Sequence, residues 1–326
     1  MASLKDIADR VGISKAAVSR ILNGKGSFSR DTIYKVEKAA RELNYTLPSA
    51  AVEETASTSH TIGLIVPISH IPYFGVLSSR IEAAAYDFGY SLLLCSSAYE
   101  HLSSEEFAAW LRKNRVDGLI IAVTLNNPSE LTDLGIPVFS VGLEISPDIP
   151  SVCADNLAIG RIAARHLLNR SCKNLLYISN NNSGLKNDLR FQGFYEELEK
   201  HNQVAWPSIL SDDHSTDPRA IKEMITEALM NHPDADGIFA ESQTLALECI
   251  RTLQDLGYQV PKEIKVIGCG SPYFGSYATP RLTILEENTD LIAKKAVSLL
   301  IDLIEGHQPA QEHLLIPVSL NINQTT

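Results

Sequence analysis

The chain has 326 residues, 44% of them apolar, and a net charge of −11. That length suits one large domain or two to three smaller ones, and no apolar run is long enough to span a bilayer. Overall acidity argues against non-specific affinity for nucleic acid, but residues 1–50 carry nine Lys/Arg against five Asp/Glu, or +4, while the remainder carries 19 against 34, or −15. A basic head on an acidic body points to a polyanionic partner for the head alone.

The first elements read as helices. Leu4, Ile7, Ala8 and Val11 keep the spacing of one helical face, and Gly12 then permits a tight turn. Ser14 is a good N-cap for a helix over Lys15–Leu22, with Ala17, Val18, Ile21 and Leu22 facing inward. A third helix is expected over about residues 29–43, its inner face formed by Ile33, Val36, Ala40 and Leu43, and Pro48 ends it. The aperiodic stretch PSAAVEETASTSH reads as a linker. The expected domains are therefore a head at 1–46, a hinge at 47–60 and a body at 61–326.

From Thr61 onward, short apolar runs alternate with amphipathic stretches. The runs are IGLIV (62–66), SLLLC (91–95), GLIIAV (118–123), PVFSV (137–141), NLLYIS (174–179), DGIFA (236–240) and IKVIG (264–268). Such runs fit strands covered on both faces, and helices between them imply βαβ crossovers in parallel sheets. The expected class is α/β, a two-lobed body with a cleft at the carboxyl ends of its strands, behind an all-α head. No internal repeat is evident. Five scattered cysteines without a CxxC pair read as reduced, buried side chains, and no apolar segment follows the first charges. Both point to the cytoplasm.

A helix, a glycine turn and a second helix with Lys15, Ser19 and Arg20 on its polar face follow the helix-turn-helix plan, whose second helix enters the major groove. Lys15 can donate to guanine O6 and N7, Ala16 can contact a thymine methyl, and Ser14, Ser19, Arg20 and Asn23 reach phosphate or flank the bases. A small helical cap with a solvated basic face has the same periodicity, which leaves both readings open.

The wording of the segments goes further. LKDIADRVGISKAAVSRILNG followed by VEKAARELNY resembles the lactose/galactose repressor family of bacterial transcription regulators. The blocks GLIVP, PYFGVLSSRIEAAAYDFGYSLLLC, RVDGLII, GIPVFSV, ADNLAIGRIAARHLL, RFQGF, GYQVPKEIKVIG and PRLTI continue the resemblance in order. It implies a body related to periplasmic sugar-binding proteins. It also implies a homodimer on near-palindromic double-stranded operator DNA, and a small-molecule effector, a sugar or sugar derivative, held between the lobes. No cofactor, metal or membrane is implied. The DNA-contacting set it suggests is Ser14, Lys15, Ala16, Ala17, Ser19, Arg20, Asn23, Arg30 and Tyr45. The effector set is Tyr73, Phe74, Thr124, Arg190, His214 and Glu241. Helix 74–88, with Val76, Leu77, Ile81 and Ala84, is a candidate dimer surface, though packing on its own sheet explains the same residues.

The sequence departs from the family in two places. Thr46-Leu47-Pro48-Ser49 shifts the hinge proline, and Glu53 and Glu54 stand where a polar residue and a minor-groove leucine wedge are expected. In the cleft, the strand-end GFDD or GYDD reads Gly268-Cys269-Gly270-Ser271, the usual N-D reads Glu241-Ser242, and Gly142 replaces an acid. Arg190 with aromatic walls suits a ligand bearing a phosphate, a carboxylate or a stacking ring. Glu241 could supply a carboxylate from another strand, which keeps a neutral sugar open, and Arg190 could instead form a lobe-bridging ion pair. Two rivals are weaker. GCGSPYFG lacks dinucleotide-motif spacing and the histidines lack metal-ligand spacing, against an enzyme. The basic head opposes a transport binding protein.

Overall fold

The computed structural model describes residues 4–22, 28, 32, 35–36, 38–40, 43, 59–67, 72–95, 104–123, 131, 134–179, 188–209, 217–307 and 312–326. It forms two compact units, Met1–Ser57 and Thr58–Thr326.

In the first unit, α1 (Leu4–Val11) and α2 (Lys15–Leu22) flank Gly12. Gly12 sits at φ +77°, and the N–H groups of Gly12 and Ile13 both donate to Ala8 O. That satisfies the end of α1 with a left-handed residue, as a helix C-terminus requires. Ser14 Oγ accepts from Ala17 N–H at 3.1 Å, the expected cap of α2. Residues 32, 35–36 and 38–40 are helical. Ile7, Ala8, Val18, Val36, Ala39 and Ala40 form the core, with Leu4, Val11, Ile13, Ile21 and Leu43 packed against it. Ala39 joins this core although the expected face omitted it, and Ala17 is only half-buried. Ile33 and residues 47–58 of the hinge expected at 47–60 lie outside the described residues.

The second unit contains β1 (Thr61–Ile65), α3 (Pro72–Asp87), β2 (Ser91–Cys95), α4 (Ser104–Lys113), β3 (Gly118–Ile121), β4 (Val138–Val141) and β5 (Ser151–Ala154). It continues with α5 (Asn156–Asn169), β6 (Leu175–Ser179), α6 (Leu189–Glu199), β7 (Ala205–Ile209), α7 (Pro218–Asn231), β8 (Gly237–Ala240) and α8 (Gln243–Asp255). Last come β9 (Lys265–Gly270), α9 (Pro272–Gly275), β10 (Thr283–Glu286), α10 (Thr289–Ile304), β11 (His313–Ile316) and β12 (Ser319–Asn321). The strands form two sheets, ordered β11-β5-β4-β3-β1-β2 and β12-β10-β9-β8-β6-β7. The chain therefore passes between lobes after β5, after β10 and after β11.

The two sheets share one plan, a repeat that the sequence does not show to the eye. Each has an Asp-Gly at the start of its third strand. Asp117 accepts from Ser59 and Thr61 N–H at 2.9 and 3.1 Å, and Asp236 accepts from Lys173 and Asn174 N–H at 2.9 and 2.8 Å. The same carboxylate thus fastens the chain entering each lobe.

All seven expected strands form. Two expectations need correction. β2 is an edge strand with Leu94 exposed, so not every apolar run is covered on both faces. β12 runs antiparallel to β10, so the second sheet is not purely parallel. Leu77, Ile81 and Ala84 of α3 are buried within the unit's own core, and α3 packs on α10. Those three residues are accounted for by packing within the chain, as the alternative reading holds.

Candidate functional sites: a nucleic-acid interface and an effector cleft

On α2 the core takes Val18 and Ile21, which turns the opposite side outward. Ser14, Lys15, Ala16 and Arg20 are exposed, and Ala17 and Ser19 are half-buried. Lys15 stands one turn before Ser19 and Ala16 one turn before Arg20, so two neighbouring rows, each with one cation and one small residue, run along the helix. Asn23, Arg30 and Tyr45 lie outside the described residues.

The cleft of the second unit is a cavity of about 260 Å³ at the carboxyl ends of both sheets, walled by residues including Tyr73, Phe74, Asn156, Arg190, Gln243 and Glu287. Its geometry starts from a crossing of two helices. Gly160 of α5 and Gly193 of α6 touch backbone to backbone: a Cβ on Gly160 would stand 2.0 Å from Arg190 O, and one on Gly193 would stand 2.0 Å from Leu157 O. Asp188 then caps α6, accepting from the N–H groups of Arg190 and Phe191 at 3.0 Å, and from the Tyr177 hydroxyl at 2.6 Å. Arg190 is thereby fixed in the first turn of α6.

Its guanidinium donates through Nε to Asn156 Oδ1 at 2.8 Å, and through its two terminal nitrogens to the Glu241 carbonyl and the Glu287 carboxylate. The arginine side chain is 23% exposed and the Glu287 side chain 5%. Burial alone works against the arginine's charge, but the carboxylates of Glu287 and Glu241 around it outweigh burial and raise its pKa. Cys269 Sγ lies 3.4 Å from the same Glu287 oxygen. Burial, ahead of its charged neighbours, pushes the Cys269 thiol well above its ordinary value, so it acts as a neutral donor. Burial and the nearby Glu287 likewise hold the Tyr73 hydroxyl protonated.

Tyr73 and Phe74 meet edge to face, with ring centroids 5.2 Å apart at 78°. Together with Arg190 they are brought into the same cavity. The Glu241 side chain is not: it is buried against the Ser179 hydroxyl, and only its carbonyl reaches Arg190. Thr124 and His214 lie outside the described residues. Sequence reasoning missed Glu287, Asn156 and Gln243. Asn156 follows β5 and Glu287 follows β10, two of the points where the chain changes lobe. A hydrophobicity pattern carries no sign of that role. All five cysteines are free and buried, and burial raises the thiols of Cys95, Cys153 and Cys172 to about 11.

Family models match two stretches. Residues 3–48 match the model of bacterial regulatory proteins of the lacI family, and residues 164–326 match the periplasmic binding protein-like domain. Among relatives, the ribose operon repressor of Halalkalibacterium halodurans is 29% identical over 326 residues, covering 100% of this chain and 97% of that protein. The sucrose operon repressor of Pediococcus pentosaceus is 30% identical over 320 residues, covering 97% of each. A periplasmic binding protein/LacI transcriptional regulator from Alkaliphilus metalliredigens, solved with D-xylulofuranose, is 27% identical with a TM-score of 0.71, covering 82% of this chain and 99% of that one. The lac repressor dimer bound to operator shares the fold at 23% identity and a TM-score of 0.74, covering 100% of this chain and 99% of that one. No described helix is long and apolar enough to cross a membrane. With a helix-turn-helix head, a two-lobed body and full-length kinship to operon repressors, the chain belongs to the lacI family of DNA-binding bacterial transcription regulators.

Proposed function

We propose that the protein is a cytoplasmic repressor of a carbohydrate-utilisation operon, and that a sugar or sugar derivative in the cleft controls its grip on DNA. It acts as a homodimer on a near-palindromic operator, because a single small head offers too little contact for tight binding. Lys15 and Ala16 meet base edges in the major groove, while Ser14, Ala17, Ser19, Arg20, Asn23, Arg30 and Tyr45 meet phosphate or the flanks. In the cleft, Tyr73 and Phe74 stack on the ligand and Arg190 donates to it; Thr124 and His214 belong to the same expected set. The ligand and the operator favour different arrangements of the two lobes, so binding one changes affinity for the other. The protein runs no reaction of its own.

The observation that carries this reading is the capped α2, with Lys15, Ala16 and Arg20 all exposed, in a chain whose body holds a cavity walled by Arg190 and two aromatic rings. A gel-shift titration with DNA upstream of the protein's own operon tests it. A specific complex that weakens steeply with salt is expected. Equal binding to unrelated DNA of the same length would refute operator recognition and favour a small-molecule sensor without operator specificity.

A further inference from the structure

The family resemblance leads one to expect a carboxylate at the end of β9, and Gly270 stands there instead. A side chain cannot simply be restored. Gly270 has φ +145°, and a Cβ would stand 3.0 Å from the Gln243 Cβ. On β10, the neighbouring strand, Glu286 pairs with Gly270, and the next residue, Glu287, donates its N–H to Gly270 O at 3.3 Å. A carboxylate therefore returns to the same wall one strand over, carried by a residue that sequence reasoning did not select.

Glu287 sets the charge of the cleft. Its carboxylate pairs with Arg190 and lines the cavity. The arginine is thus matched in charge before any ligand enters. Of its five N–H donors, three go to Asn156, Glu241 and Glu287 among the described residues. What the wall offers a ligand is a donor beside an acceptor with no net charge. Two adjacent hydroxyls fit that pair, one accepting from Arg190 and one donating to Glu287. A phosphate ester fits it poorly: with Arg190 already matched by Glu287, the wall gives a dianion no net attraction to offset the hydration it loses on entering.

We propose that Glu287 is the specificity-determining carboxylate of the effector cleft, and that with Arg190 it selects a neutral, hydroxylated ligand over a phosphorylated one. This rests on the reading of the cleft as a sugar site.

The test is thermal shift and calorimetry on the full chain with D-ribose and sucrose, ribose 5-phosphate and sucrose 6-phosphate, and hypoxanthine, whose lactam edge carries the same donor–acceptor pair. One neutral sugar should stabilise the protein while its ester, at equal concentration, does not. Glu287→Gln should weaken that sugar about tenfold or more, the usual worth of a buried hydrogen bond to a charged group, and should narrow the discrimination against the ester. Glu287→Asp should keep the discrimination because it keeps the charge. If Glu287→Gln does not fold, the sugar–ester comparison in the unmodified protein and in Glu287→Asp decides. An ester that binds more tightly than its parent sugar, or a Glu287→Gln variant that binds the sugar unchanged, would overturn the proposal. Binding of hypoxanthine alone, weakened by Glu287→Gln, would overturn the sugar reading and uphold the role of Glu287. No binding across the panel would overturn both.

Discussion

Gly160→Ala should loosen the cleft without touching it. The added methyl would lie 2.0 Å from Arg190 O and 2.5 Å from Phe194 N, both backbone atoms of α6, where real contacts stay beyond 3.0 Å. No flexible side-chain end can yield, so α5 and α6 must part by about 1 Å, and such overpacking costs about 1–3 kcal/mol. For a unit the size of Thr58–Thr326, each kcal/mol lowers the melting temperature by roughly 2–4 °C. Arg190 and its partner Asn156 ride on the two displaced helices, so effector affinity should fall along with stability. The head folds on a separate core and should still bind operator. Scanning calorimetry and ligand titration of the full chain measure both effects. A melting temperature within 1 °C of the unmodified protein, with unchanged ligand affinity, would refute the close crossing as the element that positions Arg190.

Three further outcomes are expected. Lys15→Ala should cost about 1–3 kcal/mol at one base pair of each half-site and relax preference there, whereas Arg30→Ala should weaken all sequences alike; equal loss on every operator variant for Lys15→Ala would show that α2 is not the reading helix. Burial, and then the charge of Arg170, lowers the pKa of His166, whose ring bonds Thr326 Oγ1 at 2.8 Å. The unfolded chain then takes the proton first, so stability should fall as pH drops through about 6.5, and His166→Gln should flatten that loss between pH 7.5 and 5.5 in urea unfolding; an unchanged slope would exclude His166 as its source. Glu54 stands where a leucine wedge is expected, so changing the operator's central base step should alter affinity by less than about 1 kcal/mol, and Glu54→Leu should tighten binding and restore dependence on that step; a sharply bent operator with a strong central preference would point to Leu47 or Val52 instead.

Much of the fold could be read from local pattern, because local pattern causes it. Gly12 and Ser14 mark the turn and the cap through chemistry confined to a few residues. The seven apolar runs announce their strands because consecutive apolar residues stand together in each. The five strands that escaped notice lack that signal. β7 carries Pro207, which an edge strand tolerates and a central one does not. SVCA in β5 and TILE in β10 are short and mix polar with apolar residues, and β11 and β12 are half-exposed. The cleft was legible only where a motif names a residue, as RFQGF names Arg190. Glu287 reads as one acid in the run Glu286-Glu287. It becomes a wall of the cavity only because β10 lies beside β9, which is a fact of sheet order. Glu241 failed in the other direction: a carboxylate at a strand end invites a ligand, but Ser179 on the adjacent strand takes it.

If one small molecule in the cleft sets affinity for DNA, the two binding events must be coupled. Fluorescence anisotropy of labelled operator, titrated with the full chain with and without a saturating ligand that stabilises it, measures that coupling directly. The expected operator Kd changes about 5–150-fold, in one direction, and an Arg190→Gln variant binds operator but no longer responds. An operator affinity that stays the same while the ligand demonstrably occupies the protein would contradict it.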